Sequence, residues 1–86
     1  MVVIVYVLKS EVDGILYVGM TENLDRRIAE HNHGKSKFTS GHRPWKLIYS
    51  ETAEDFNSAR AKEKYFKSAA GKIYIQKKLK EGSLPD

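Results

Sequence analysis

Two hydrophobic periods alternate along the chain and divide it into elements. Val2–Leu8 is an almost unbroken run of β-branched and aliphatic residues around one aromatic, Tyr6, and reads as a strand. Glu11-Val12-Asp13-Gly14 supplies turn chemistry, because an Asp-Gly pair tolerates the positive φ of a hairpin. Ile15–Met20 is then a second strand, antiparallel to the first. Gly19, near its end, is expected to mark a bulge or the close approach of a ligand. From Leu24 the period becomes helical and runs to about Asn32, with Thr21 or Asn23 as cap and Gly34 as stop. Residues 35–44 form a polar loop whose Gly41 and Pro44 exclude a long regular element. Trp45–Glu51 reads as a third strand. A long helix follows, beginning between Thr52 and Phe56 and ending near Ala70 with Gly71 as its C-cap. A shorter helix over about 72–80 turns Ile75 and Leu79 to the core. The chain reads as one domain over residues 1–82, with 83–86 a frayed tail.

Several polar residues interrupt the stripes that this pattern assigns to the core. On the first helix Leu24, Arg27, Ile28 and His31 follow the i, i+3, i+4, i+7 rule for a buried face, yet half of them are polar. Charged groups are rarely buried unpaired, so the stripe is expected to face a cleft roofed by the first two strands. On the long helix Phe56, Ala59, Glu63, Phe66 and Ala70 share a stripe with a carboxylate at its middle. A carboxylate there must find a cation, a donor or a metal. Tyr6 and Tyr17 stand on neighbouring strands. Each residue has an ordinary alternative: strand aromatics with exposed hydroxyls, His31 as a helix-terminal cation, Arg27 and Glu63 as each other's partners. All five nevertheless project from stripes that folding must bring together.

Composition narrows the classes. At 86 residues the chain has a core near the small end of what folds alone. It has no cysteine, which excludes disulfides and thiolate metal sites and fits a reducing compartment. The N-terminal apolar run is too short to span a bilayer, so a soluble, cytoplasmic protein is expected. Net charge is +4, unevenly spread. Residues 1–34 carry three basic against five acidic side chains, and residues 35–86 carry twelve against six. A basic half of this kind suits a polyanion such as nucleic acid. Lys35, Lys37, Arg43 and Lys46 cluster around the polar loop and are candidates for holding a DNA backbone.

The five polar residues suit metal-assisted phosphodiester hydrolysis. One carboxylate with phosphate oxygens and water is a ligand set for Mg²⁺. An arginine stabilises developing phosphate charge, and a tyrosine or histidine takes a proton from water. The sequence holds no glycine-rich nucleotide loop, no HExxH and no serine triad pattern. Ile4-Val5-Tyr6, Tyr17-Val18-Gly19, Arg27 and His31, with Ala59, Glu63 and Lys67 downstream, resemble the signature of the GIY-YIG nuclease superfamily. Lys37-Phe38-Thr39 through Arg43-Pro44-Trp45-Lys46-Leu47 is similar to its small standalone members, which are related to the nuclease domain at the N-terminus of an excision-repair enzyme. The first motif departs from the family name before its tyrosine, and the asparagine that some members place after the glutamate has no counterpart, Asn57 preceding it.

The resemblance covers roughly residues 2–80 and implies an α+β fold, a three-stranded antiparallel sheet flanked by about three helices. It implies an endonuclease acting on DNA with one Mg²⁺ or Mn²⁺ ion, in DNA repair or recombination. By position, Glu63 holds the metal, Arg27 stabilises the phosphate, and Tyr6 or Tyr17 activates water with His31 in support. A monomer is expected, with a protein partner supplying substrate targeting. A second class stays open, a nucleic-acid-binding module of the same fold without turnover.

Overall fold

The computed structural model describes residues 2–34 and 37–80, Lys37 and Phe38 by their backbone alone. It contains β1 (Val3–Ser10), β2 (Leu16–Thr21), α1 (Leu24–Asn32), the single-turn α2 (Lys37–Ser40), β3 (Trp45–Ala53), α3 (Phe56–Lys67) and α4 (Ala69–Lys80). The strands form one antiparallel sheet in the order β2-β1-β3. β1 is central and pairs directly with β3, a pairing that the sequence pattern does not require.

β1 reads as a continuous apolar run because both its faces are covered. Val3, Val5 and Val7 pack with Val18, Ala53, Ala59, Phe66 and Ile75 under α3 and α4. Tyr6 and Leu8 turn the other way, towards Trp45, Tyr17, Leu24 and Ile28 beneath α1. The register to β3 slips once, Val7 facing Tyr49 and Leu8 facing Leu47, so Ile48 is the extra residue of a bulge. Each fully buried aliphatic side chain contributes about 1.5–3 kcal/mol relative to exposure. The two thin layers are the main source of stability in a chain this short.

Local polar bonds set the element ends. Of the two candidate caps for α1, Asn23 is the one used, its side chain accepting from the Arg26 amide at 3.1 Å. Thr21 accepts instead from the Asn23 amide. Asp55 caps α3 by accepting from the Ser58 amide at 2.8 Å. In the β1–β2 turn Ser10 accepts from the amides of Val12 and Asp13, Asp13 accepts from Ile15, and Gly14 has φ +78°.

The end of the long helix departs from its sequence-based expectation. α3 stops at Lys67, and Gly71 is not its cap but lies buried in the first turn of α4. Ser68 makes the corner. Its extended backbone ends α3, and its hydroxyl oxygen accepts from the Gly71 amide at 3.1 Å. A serine in this position competes with the helix for backbone bonds and favours a cap. Gly71 is needed for close approach, not for φ. A Cβ there would stand 2.0 Å from the Tyr65 carbonyl oxygen and 2.6 Å from the Phe66 Cα. The shortened α3 leaves Ala70 off the predicted stripe; Phe56, its first residue, is exposed, and Ala59 and Phe66 are buried. The predicted 83–86 tail lies outside the described residues.

Gly71→Ala therefore forces the two helices apart against backbone atoms that cannot rotate away. We expect a loss of about 1–3 kcal/mol, the range for overpacking, read as a lower urea midpoint. Ala70→Gly serves as the exposed control for the change in helix propensity.

Candidate active site

Tyr6 sits at the middle of the central strand, opposite Gly19 of β2. Its side chain crosses the space where a residue-19 side chain would lie. A Cβ at Gly19 would be 2.5 Å from the Tyr6 hydroxyl and 2.7 Å from its Cζ. Pairing between β1 and β2 stays in register at Gly19, so this glycine marks no bulge. It makes room for a phenol.

Across that space the Tyr6 hydroxyl meets His31 Nε2 at 3.0 Å. His31 is wholly enclosed, and its Nδ1 lies 2.9 Å from the Thr39 hydroxyl of α2. Thr39, also fully buried, accepts at its carbonyl from the Trp45 indole N–H at 2.8 Å. Tyr17, half-buried on β2, presents its ring edge to the imidazole with centroids 4.9 Å apart. This geometry sets aside two ordinary readings. The Tyr6 hydroxyl is not an exposed strand hydroxyl, and His31 is not a helix-terminal cation. Burial first, then the Arg27 charge, hold the His31 pKa below its ordinary 6.5, with Glu30 opposing.

Arg27 is one helical turn before His31. It pairs with Glu30 at 2.9 Å, about a third of its side chain is exposed, and its positive charge acts on the Tyr6 hydroxyl. Burial pushes the Tyr6 hydroxyl up to about 12, against the lowering effect of Arg27. The charges of Tyr17 and Glu63 raise it further. Glu63 stands on α3, which packs against all three strands. Its carboxylate is about one-fifth exposed and pairs with Lys67 at 3.3 Å. The alternative in which Arg27 and Glu63 neutralise one another is not the one adopted. Each has a partner on its own helix.

Tyr6, Tyr17, Arg27 and His31 thus form one cluster on the α1 side of the sheet, whereas Glu63 belongs to α3, which covers the other face. The basic candidates are more scattered. The Arg43 guanidinium lies against Gly34 and donates to the Ser40 carbonyl at 2.9 Å. Lys46 aligns with Lys9 and lines a groove with Leu79, on the sheet face away from Trp45. Lys35 and the side chain of Lys37 lie outside the described residues.

A divalent ion is implied by the resemblance. Among the described residues no group of three or more His, Cys, Asp and Glu side chains could cage one. His31 has both ring nitrogens engaged and is no spare ligand. What remains is one hard carboxylate, Glu63. That donor fits a Mg²⁺ or Mn²⁺ ion shared with substrate phosphate and water.

Sequence reasoning missed Thr39, Trp45 and Asn32. Asn32 accepts from the Trp45 amide at 2.7 Å and donates to its carbonyl, tying the end of α1 to the start of β3. Nothing in the hydrophobic period marks a threonine in a polar loop. Its buried place beside an imidazole arises only on folding.

The enclosed imidazole makes stability depend on pH. Between its lowered folded pKa and 6.5 the unfolded chain binds a proton at His31 that the folded chain does not. Folding stability therefore falls as pH drops through this window and is fully present above it. In His31→Gln that part of the slope should vanish in urea titrations from pH 7 to about 5. The carboxylates of Asp13, Glu30 and Asp55, held low mainly by hydrogen bonds, lose their contribution only below the ordinary carboxylate range.

Residues 2–79 match the family model described as the GIY-YIG catalytic domain. A UPF0213 protein of Clostridium perfringens is 45% identical over 64 residues, 73% of this chain and 68% of that protein. One from Bacillus licheniformis is 41% identical over 81 residues, covering 90% and 82%. The solution NMR structure of a UPF0213 protein from Bacillus halodurans superposes with a TM-score of 0.56 at 33% identity, over 96% of this chain and 89% of that one. Its likeness extends to the three-stranded antiparallel sheet flanked by helices.

Proposed function

Because this chain belongs to the GIY-YIG catalytic-domain family, we propose that it is a divalent-metal-dependent endonuclease hydrolysing DNA phosphodiester bonds. The observation that carries the reading is the buried Tyr6 hydroxyl, 3.0 Å from His31 Nε2 and in the field of the Arg27 charge. A structural core has no use for this arrangement. An apolar residue at position 6 would fill the same space without a buried polar network to satisfy.

Glu63 would hold the ion together with phosphate oxygens and water, and the bound ion supplies Lewis-acid stabilisation of phosphate charge. The chain's own residues do the rest. Arg27, partly exposed and anchored by Glu30, presents its remaining donors to the phosphate. Of the two tyrosines, Tyr17 is the one with solvent access, and its hydroxyl is assigned the attacking water. Tyr6 is enclosed and stays neutral, so its part is to aim Arg27. Water forms the new P–O bond as the bond to the leaving sugar oxygen breaks; the Tyr17 hydroxyl accepts the water proton while passing its own to solvent, and the leaving oxygen takes a proton from solvent. Membrane association has no support, since no described helix is long and apolar enough to cross a bilayer.

Glu63→Ala should abolish Mg²⁺-dependent cleavage of a panel of branched, flapped and duplex DNA while binding survives or tightens, because a negative charge leaves a site that meets phosphate. Arg27→Ala should lower the rate by on the order of 10²–10³ and weaken binding. A parent protein that binds DNA and cuts with neither Mg²⁺ nor Mn²⁺ would return the reading to a silent binding module.

The grip on DNA should be electrostatic. Neutralising Lys35, Lys37, Arg43 and Lys46 should flatten the dependence of log affinity on log salt, by about one unit for each phosphate that is no longer neutralised. An unchanged slope would place the backbone on α3 and α4, where residues 56–80 carry eight basic side chains and one acidic.

A further inference from the structure

The bonding around His31 leaves one neutral tautomer that satisfies every partner. Arg27 acts on Tyr6 as a cation whose guanidinium has donors only, which favours a phenol with its oxygen turned to that charge and its proton turned away. The phenol proton then needs an acceptor in an enclosed place, and the atom facing it is His31 Nε2 at 3.0 Å. A neutral imidazole that accepts at Nε2 carries its proton at Nδ1. Nδ1 lies 2.9 Å from the Thr39 hydroxyl, whose oxygen is the acceptor there. The reverse tautomer would put an Nε2 proton against the phenol oxygen, and the phenol's own proton would have to turn towards the Arg27 cation.

We propose that Thr39 is a positioning residue that fixes His31 as its Nδ1–H tautomer, so that Nε2 accepts the hydrogen bond of the Tyr6 hydroxyl and the phenol oxygen is turned towards Arg27. Thr39 is built into place for this. It has no exposed surface, and its carbonyl is anchored by the Trp45 indole N–H at 2.8 Å. Trp45 is itself buried and fastened to α1 through both polar atoms of the Asn32 amide. Rigid partners that orient an imidazole through its second nitrogen are the usual means of setting its tautomer. The chain of bonds runs from β3 through α2 and α1 to the central strand. None of its outer members touches substrate. The assignment of Arg27 to phosphate rests on the function proposed above, whereas the tautomer does not.

The test is long-range ¹⁵N–¹H correlation NMR of the imidazole rings in the full chain at neutral pH. Wild-type protein should show the Nδ1–H pattern for His31. Thr39→Val, equal in shape but without the hydroxyl, should lose it to the Nε2–H form or to exchange, and Thr39→Ser should restore it. An Nε2–H pattern in the wild type, or an unchanged pattern in Thr39→Val, overturns the proposal. The wild-type measurement decides even if the valine variant fails to fold. Where cleavage is measurable, Thr39→Val should lower kcat by on the order of 10- to 100-fold with KM little changed, and Thr39→Ser should recover it. A protein with no nuclease activity but with the expected spectra would sink the endonuclease reading and leave the tautomer assignment standing.

Discussion

The bond from the Tyr6 hydroxyl to His31 Nε2 joins the central strand to α1 through the interior, at 3.0 Å and away from water. Both groups are polar, and an unpaired one at this depth would cost about 1–3 kcal/mol. Their neighbours are constrained accordingly. Residue 19 must be a glycine, because the phenol fills the place of a Cβ. α1 must lie with the 24-27-28-31 stripe inward, since Leu24 and Ile28 flank the same cluster. α2 must bring a hydroxyl to the far side of the ring. A small fold has thus given up apolar packing at its centre for a directional polar network beside Arg27.

Charge is arranged on two scales around that network. Arg27 and Glu63 each have a partner on their own helix, Glu30 and Lys67. These exposed or half-exposed pairs contribute little to stability. They leave the two charges free of one another. Farther out, α3 and α4 carry the surplus basic charge of the chain. Like charges at helical spacing repel, and the corner at Ser68 and Gly71 holds these two helices together against that repulsion.

Much of the architecture is legible in the sequence, for local reasons. The β-branched run of β1, the Asp-Gly turn and the helical period from Leu24 depend on residues near one another in the chain. Period alone also exposes Tyr6, Arg27, His31 and Glu63 as polar intrusions on core-facing stripes, since a stripe states what belongs there. The helix corner escapes the pattern for a local reason too. Gly71 has the composition of a C-cap, but the serine three residues earlier offers the backbone a better bond.

What only the tertiary structure decided are the partners. The order β2-β1-β3 and the bulge at Ile48 arise from pairing between residues some forty positions apart, about which neither segment carries information. Gly19 is visible as a gap, but its occupant, the Tyr6 ring, comes from another strand. Arg27 and Glu63 offer each other a plausible pairing by charge, and helix geometry gave each a nearer one. Thr39 lies in a segment without period, so nothing before folding distinguishes its buried hydroxyl from a solvated one. The sequence determined which residue types stand on which faces, because periodicity is a property of the backbone. Which polar atom meets which was settled by packing, because a hydrogen bond is fixed in three dimensions by atoms that arrive from separate elements.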